Sequence, residues 1–214
     1  MNIILLGPQG SGKGTQAGLL VQKYGLNWFE GGKILRSIAR SDNERAREIK
    51  VMMKRGELIP DEFMRLIAWD FINKNDQNKG YLFDGYPRGV SQYEALVDML
   101  KRFGKGIDRV IYLNISEDES VRRLSGRVVC AKCGEIYNLN TEDKPREDMK
   151  CSKCGSTLER RDDDLPEAVK RRLELYHQRT GPILERAGKD GILLEVDGER
   201  PIETVFEDIV EQLK

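Results

Sequence analysis

Residues Ile3–Thr15 read Ile-Ile-Leu-Leu-Gly-Pro-Gln-Gly-Ser-Gly-Lys-Gly-Thr, an apolar run that ends in a glycine-rich loop. An amphipathic stretch follows the loop. Glycines let backbone N–H groups turn inward around phosphate oxygens, Lys13 adds a positive charge, and the N-terminus of a following helix attracts anions. The stretch therefore predicts a phosphate-binding loop between a strand and a helix.

The loop departs at one position from the general P-loop pattern, which is Gly, four residues, Gly, Lys and then Ser or Thr. Gly7, Gly12 and Lys13 fit the pattern, whereas Gly14 stands where the hydroxyl belongs. The alternative interpretation is a glycine-rich turn that binds nothing. Four glycines and a lysine between a strand and a helix favour nucleotide binding over that alternative.

The composition limits the classes of partner. A chain of 214 residues can form one main domain with small inserted modules. The 36 basic and 36 acidic residues cancel, so no net field holds a polyanion, and we expect no nucleic-acid partner. No run reaches the roughly 18 apolar residues of a membrane span, and the chain opens directly on a short apolar run. We expect a cytoplasmic monomer that binds no membrane.

Short apolar runs alternate with longer amphipathic stretches along most of the chain, which is typical of an α/β fold with a central parallel sheet. Strands are predicted at 2–6, 80–84, 109–114 and 192–195, and helices at about 13–24, 90–102, 117–125 and 201–213.

Two segments break the alternation. Residues 30–59 belong to a polar, helix-like stretch, and residues 127–164 are turn-rich and contain all four cysteines. Both are predicted to be inserted flaps. The core domain would then consist of residues 1–29, 60–126 and 165–214.

The cysteines form two Cys-x-x-Cys pairs with seventeen residues between them: Cys130, Cys133, Cys151 and Cys154. This spacing is typical of a tetrahedral four-cysteine zinc site. Paired disulfides and unligated thiols are the alternatives, and a four-thiolate site also accepts iron. Because four thiolates leave no open coordination position, we expect a structural Zn²⁺ that folds a segment too small to have its own core.

A second apolar run, Tyr81-Leu82-Phe83, ends in Asp84. A carboxylate at the end of a strand beside a P-loop can orient Mg²⁺ or its waters, and a capping Asp at a turn is the alternative. Gly85-Tyr86-Pro87-Arg88 and Gln92 follow. They offer a close backbone approach, a guanidinium for phosphate and an amide able to pair with a base edge.

Taken in order, these motifs resemble the adenylate kinases of the bacterial type with a zinc-binding lid, within the nucleoside monophosphate kinases. The resemblance covers essentially the whole chain, including Arg161–Glu167, which matches the family's Arg-x-Asp-Asp-x-Pro-Glu, and the segment Val196-Asp197-Gly198. It implies a P-loop three-layer fold with a helical nucleotide-monophosphate flap and a four-cysteine lid. It also implies reversible transfer of the γ-phosphoryl group of Mg-ATP to AMP, which gives two ADP.

The resemblance also implies the site residues. ATP would contact Gly10, Ser11, Gly12, Lys13, Gly14, Thr15, Arg127, Ile136, Tyr137 and Arg200. AMP would contact Gly31, Arg36, Met53, Glu57, Leu58, Ile59, Gly85, Tyr86, Pro87, Arg88 and Gln92. Transfer would depend on Lys13, Asp84, Arg88, Arg123, Arg161 and Arg172, with Arg160 as the alternative to Arg161.

The chain departs from the family where the AMP flap begins. The family's Ser-Thr-Gly-Asp-x-Leu-Arg reads Glu-Gly-Gly-Lys-Ile-Leu-Arg at 30–36, so Gly31 removes a hydroxyl and Lys33 reverses a charge. Two further functions follow as alternatives. One is a kinase for CMP, UMP or GMP, and the other is a non-catalytic, ATP-dependent sensor.

Overall fold

The structure of the protein is a computed structural model that describes residues 1–140, 145 and 148–214, apart from the side chain of Asp162. Its elements, in chain order, are β1 (Asn2–Leu6), α1 (Lys13–Tyr24), β2 (Asn27–Glu30), α2 (Gly31–Ile38), α3 (Glu44–Lys54), α4 (Asp61–Lys74), β3 (Tyr81–Asp84), α5 (Val90–Lys101), β4 (Arg109–Asn114), α6 (Glu117–Ser125), β5 (Arg127–Cys130), β6 (Ile136–Asn138), β7 (Leu158–Glu159), a 3₁₀ turn (Asp162–Asp164), α7 (Pro166–Leu175), a π-helical turn (Tyr176–Thr180), α8 (Gly181–Lys189), β8 (Leu193–Asp197) and α9 (Ile202–Gln212).

Within the described residues, a five-stranded parallel sheet has the order β2-β3-β1-β4-β8. Strand β1 lies between β3 and β4, so the loop after β1 leaves the sheet where the strand order reverses. Ligands of open α/β sheets bind at such a point, outside the carboxyl ends of the strands. The sheet therefore places the glycine-rich loop and Asp84 on the same edge.

Alternate residues of β1 supply two hydrophobic layers, as the period of two of a strand requires. Ile3 and Leu5 pack with α1 and α9 on one face, and Ile4 and Leu6 pack with α4, α5 and α8 on the other. All four side chains are buried. A strand that is apolar on both faces is what a parallel sheet covered by helices needs. The predicted three-layer α/β fold is confirmed.

Two smaller units stand beside this sheet. We call the described residues from Glu30 to Ile59, with helices α2 and α3, the flap. We call the described residues from Arg127 to Asp164, with the antiparallel strand order β6-β5-β7, the lid. Asn43 caps α3 by accepting a hydrogen bond from the N–H of Ala46 at 2.8 Å.

The predicted bounds hold closely for β1 and α1, and α1 ends where Gly25 adopts a left-handed φ of 64°. Strand β2 was not predicted because it has four residues and only Phe29 is fully buried. The short lid strands were also missed. None of the helices in the described part of the chain combines the length and apolar character that a bilayer span requires.

Candidate active site

The main cleft found among the described residues has a volume of about 620 Å³ and opens at the carboxyl ends of β1 and β3. The glycine-rich loop, the flap, the lid and the π-helical turn all contribute to its wall. Predicted site residues that line it are Gly10, Ser11, Gly12, Lys13, Gly14, Thr15, Arg36, Met53, Glu57, Leu58, Ile59, Asp84, Gly85, Pro87, Arg88, Gln92, Arg123, Arg127, Ile136, Tyr137, Arg161, Arg172 and Arg200. Gly31 and Tyr86 are buried outside this lining.

The loop after β1 folds around the side chain of Lys13. Its Nζ donates to the carbonyl oxygens of Gly7 and Pro8 at 2.8 and 2.7 Å and to Ser11 Oγ at 3.2 Å. Gly7 has a φ of 153°, and a Cβ there would lie 2.5 Å from Ser11 Oγ and 2.7 Å from the oxygen of Leu113. The loop can close in this way only because position 7 is glycine.

The floor of the cleft is a desolvated charge cluster. Burial lowers the pKa of Lys13 to about 8, while the Asp84 carboxylate opposes that shift. Burial raises the pKa of Asp84, and Lys13 counteracts it. Arg88 and Arg172 lower the pKa of Lys13 further by like charge. This surplus of positive charge favours an anionic ligand.

Asp163 joins two of the predicted arginines. It accepts hydrogen bonds from Arg161 Nε at 2.8 Å and from Arg172 Nη1 at 3.2 Å. Burial alone would raise the pKa of Asp163, but the two guanidinium groups hold it well below its ordinary value. Arg160 is exposed and does not line the cleft. The geometry thus favours Arg161 over Arg160 as the lid arginine.

The remaining arginines of this wall are similarly fixed. Burial lowers the pKa of Arg172 to about 9, against the Asp163 carboxylate. Arg127 donates to Asp164 through Nε at 2.7 Å. Arg123, on α6, donates to Glu119 at 2.5 Å and to the oxygen of Gly198 at 2.9 Å. Held guanidinium groups can stabilise charge on a transferring phosphoryl group without rearrangement.

The loop after β3 forms the opposite wall. Gly85 has a left-handed φ of 75°, and the peptide bond from Tyr86 to Pro87 is cis. Arg88 Nε donates to the oxygen of Gly85 at 3.0 Å. Gln92 is buried, and both ends of its amide already have protein partners, described below.

The structure shows what surrounds Gly31 and Lys33, the two flap residues that differ from the family pattern. A Cβ at Gly31 would lie 3.1 Å from the oxygen of Gly85, so glycine lets α2 approach the loop after β3 closely. Lys33 Nζ lies 3.1 Å from Glu30 Oε1. Burial lowers the pKa of Arg36 to about 10, and the like charge of Arg161 across the cleft adds to that shift. Arg36 of the flap and Arg161 of the lid both line the cleft.

The predicted ATP-side residues of the lid lie on β5 and β6. Ile136 is half exposed, while Tyr137 is buried between the cleft and the cysteines. Arg200, after β8, pairs with Asp208 and more distantly, at 3.7 Å, with Asp197. These residues form one side of the cleft with the glycine-rich loop.

The four cysteines fit a tetrahedral metal ion. Their Sγ atoms all lie within 4.8 Å of one another, and the pairs Cys130–Cys154 and Cys133–Cys151 are 3.5 Å apart. Zinc–sulfur bonds of about 2.3 Å require sulfur separations of roughly 3.8 Å, so the cluster matches the size of a four-thiolate site. Gly134 and Gly155 adopt left-handed φ angles of 77° and 70° at the two turns.

Tyr137 links the cysteines to the cleft. Its hydroxyl accepts a hydrogen bond from the N–H of Ser152 at 2.8 Å and lies 3.4 Å from Cys151 Sγ. Since its oxygen already accepts from the backbone, its hydrogen is free to bond the sulfur. Such partners orient metal ligands.

Sequence reasoning missed three charged residues: Asp163, which lines the cleft, and Asp61 and Arg179, which lie outside its lining and are connected to it through Gln92. Asp163 lies in a run of charged residues from which the sequence analysis assigned a role only to Arg161. Asp61 and Arg179 form an ion pair at 2.9 Å across 118 residues of chain. No local pattern signals such a distant pair. In the sequence, Asp61 is indistinguishable from the acidic residues that commonly occupy the first turn of a helix.

Comparison with known proteins gives a consistent result. The family model described as Adenylate kinase matches residues 5–192. The chain belongs to the adenylate kinase family. It is 43% identical over 209 residues to the protein named adenylate kinase of Archaeoglobus fulgidus, covering 98% of this chain and 96% of that one. It is 40% identical over 214 residues to the protein of that name from Kosmotoga olearia, and 41% identical to that from Methanosarcina barkeri, each with 100% of this chain and 99% of the other covered.

Membership of the adenylate kinase family confirms the predicted enzyme class, a nucleotide phosphotransferase. It also agrees with the predicted transfer between ATP and AMP, and nothing in the comparisons favours another monophosphate or a non-catalytic sensor. The roles of individual residues stay predictions, which the geometry of this adenylate kinase site makes testable.

Lys13 gives the site an expected pH dependence. Because the pKa of Lys13 is about 8, its charge is present below that pH and lost above it, so kcat/KM for ATP should fall as the pH rises through about 8. The last ionisation of a phosphate lies near pH 6 and does not contribute. A profile of kcat/KM against pH measures this limb. Lys13→Arg should remove it, since guanidinium stays charged, and an unchanged limb in that variant would contradict the assignment.

Proposed function

We propose that this cleft transfers the γ-phosphoryl group of Mg-ATP to AMP and releases two ADP, in a reversible reaction. The observation that carries the proposal is that Lys13, Arg88 and Arg172 line one cleft beside the glycine-rich loop of an adenylate kinase family member, and that both arginines act on Lys13 by like charge. Phosphoryl transfer leaves the protein little covalent work, so positioned positive charge accounts for most of the catalysis.

The two nucleotides would enter the cleft from opposite sides of these three cationic residues. ATP binds along the glycine-rich loop, with Arg127, Ile136, Tyr137 and Arg200 beside it. AMP binds between the flap and the loop after β3, with Arg36 and Arg88 on its phosphate. Arg123, Arg161 and Arg172 then face the oxygens of the transferring group, and Lys13 bridges the donor phosphates.

Asp84 would hold Mg²⁺, directly or through water. Support comes from its position at the end of β3 next to Lys13 and from the burial that makes an isolated carboxylate costly there. When bound, Mg²⁺ neutralises charge between the donor phosphates. Asp84 would hold the ion on the side of the glycine-rich loop.

The lid cysteines would hold a structural Zn²⁺. The hydrophobic cluster of the described lid consists of Val128, Cys130, Tyr137 and Cys151, with Leu139 and Leu158 against it. So few side chains cannot stabilise a folded unit, whereas a tetrahedral metal site can. We also propose that the protein works as a cytoplasmic monomer.

Tyr137→Phe tests the link between lid and metal. Loss of the hydroxyl leaves the N–H of Ser152 and the sulfur of Cys151 without their shared partner, so metal affinity should fall about tenfold. Competition with a coloured chelator measures that affinity directly. Tyr112→Phe, which changes a tyrosine in the central sheet, serves as the control. Equal metal affinity in Tyr137→Phe and the wild type would contradict the assignment.

The flap and the lid, as bounded by residues 30–59 and 127–164, would move against the core to close over both nucleotides. The flap lies close to α7 in the structure, as a closed flap would, since a Cβ at Gly56 would lie 2.6 Å from the oxygen of Ala168. Closure excludes water, which would otherwise accept the phosphoryl group.

Product stoichiometry tests the reaction. The protein is incubated with Mg-ATP with and without AMP, and the nucleotides are separated by chromatography. The proposal predicts two ADP for each AMP consumed and negligible ADP when AMP is omitted. ADP formed equally in both reactions would indicate hydrolysis and contradict it, while ATP binding without any product would indicate the sensor.

A further inference from the structure

Arg179 occupies an unusual place in this fold. It lies in the π-helical turn Tyr176–Thr180, and π-helical turns are frequent at functional sites. Its guanidinium packs over Gly89, where a Cβ would lie 3.4 Å from Nη2. The side chain is 41% exposed, so it is neither a core residue nor a fully solvated one. Nothing in the proposed transfer mechanism uses it.

A continuous chain of hydrogen bonds begins at this guanidinium. Arg179 Nη2 donates to Asp61 Oδ2 at 2.9 Å, and Asp61 Oδ1 accepts from Gln92 Nε2 at 2.8 Å. Gln92 Oε1 in turn accepts from the N–H of Arg88 at 2.8 Å. The chain joins the π-helical turn, the start of α4 and the loop after β3.

This series of hydrogen bonds fixes the direction of the Gln92 amide. An ionised carboxylate only accepts hydrogen bonds and a backbone N–H only donates them. The amide nitrogen must therefore face Asp61 and the amide oxygen must face Arg88. The amide nitrogen keeps one hydrogen and the amide oxygen keeps one lone pair for a ligand in the cleft that Gln92 lines.

The direction of an amide matters for reading a base. The Watson–Crick edge of adenine presents an amino donor beside a ring-nitrogen acceptor, whereas guanine presents a carbonyl acceptor beside a ring N–H donor. An amide can satisfy either edge, but in opposite orientations. A locked amide in a fixed backbone setting therefore favours one purine, while an amide free to flip accepts both.

We propose that Arg179, acting through Asp61, is a positioning residue that locks the Gln92 amide and so sets the choice of purine monophosphate. The proposal rests on the proposed function, since it assigns the acceptor side of that same cleft. Arg179 holds the second oxygen of Asp61, which prevents the carboxylate from rotating away from Gln92. Thr180 supports the arrangement because its hydroxyl donates to the oxygen of Arg88 at 3.3 Å.

The test compares wild type, Arg179→Met and Arg179→Lys in steady-state kinetics with Mg-ATP. For Arg179→Met we expect the KM for AMP to rise about three- to tenfold, the size expected for a partly exposed charged hydrogen bond. The KM for ATP should stay within about twofold, because the ATP side lies across the cleft. The ratio of kcat/KM for AMP over GMP should fall by a similar factor. Arg179→Lys, which keeps the charge, should recover part of the loss.

Asp61→Asn provides a second variant that does not depend on the guanidinium. Its amide can both donate and accept, so only the N–H of Arg88 still dictates the direction of Gln92, and the AMP over GMP ratio should fall. Thermal unfolding of each variant reports any general loss of structure. A KM change shared equally by AMP and ATP, or an unchanged AMP over GMP ratio in both variants, would overturn the proposal.

The outcomes separate this inference from the proposed function. A wild-type protein that prefers AMP, with variants that prefer it equally, refutes only the role of Arg179. A wild-type protein without transfer to AMP refutes the proposed function and this inference with it.

Discussion

Arg88→Ala is expected to lower kcat for transfer to AMP by about 10³-fold, within the range found when one charged stabiliser of a transferring group is removed. Arg88 is half-buried within the electrostatic reach of Asp84, Asp163 and Arg161, and its Nε donates a hydrogen bond to the oxygen of Gly85. No neighbouring side chain can replace Arg88 both at the transferring group and at the acceptor phosphate. The KM for AMP should also rise, since the same guanidinium holds the acceptor phosphate.

Steady-state kinetics with saturating Mg-ATP measure this loss. Arg186→Ala is the matched control, because Arg186 is an exposed arginine that pairs with Asp190 at 3.1 Å outside the cleft. Arg88→Lys should recover only a small part of the activity, because an ammonium cannot reproduce the planar fork of guanidinium. Activity in Arg88→Ala within tenfold of the control would remove Arg88 from the transfer mechanism.

Removal of the lid metal is the second change with a large expected effect. Structural Zn²⁺ contributes about 10–16 kcal/mol of apparent binding energy in small zinc domains, far more than the small lid cluster supplies. We expect a chelator to unfold β5, β6 and β7 while the central sheet stays folded. Transfer should then fall at least about a hundredfold, because Arg127 and Arg161 lose their fixed positions.

Hydrogen exchange read by mass spectrometry locates this unfolding. Amides of the lid should lose protection on chelation and regain it with added Zn²⁺, whereas amides of β1 should not change. Cys151→Ser should reproduce the effect without a chelator, since it removes one ligand. Full lid protection in a protein shown by metal analysis to be metal-free would refute a structural role for the metal.

Most of the sheet was predictable from sequence because runs of apolar residues mark its strands and glycines mark turns next to them. Ile3–Leu6 and the turn at Gly7 define β1 and the loop after it without help from the rest of the chain. Strand β2 lacks such a signal. Its residues Asn27 and Glu30 are polar, and it is held by pairing with β3, which only the fold reveals.

The candidate site was predictable in part, for a related reason. Motifs that lie close in sequence, such as Asp84 to Gln92, can be recognised as units. The partners of those motifs lie far away in sequence: Asp61 is 31 residues from Gln92, and Arg179 is 118 residues from Asp61. Distant pairing follows from packing, which no local pattern encodes. Gly31 is a further case, since its contact with Gly85 explains a glycine that sequence reasoning treated as a loss.

The most direct test of the account is the choice of acceptor. Initial rates of transfer from Mg-ATP are measured with AMP, GMP, CMP and UMP at equal concentrations, with Arg88→Ala as the inactive control. We predict strong preference for AMP, with kcat/KM at least about a hundredfold above that of either pyrimidine, because the buried polar groups that read a purine edge would be left unpaired. Equal rates with AMP and a pyrimidine monophosphate would contradict the proposed function.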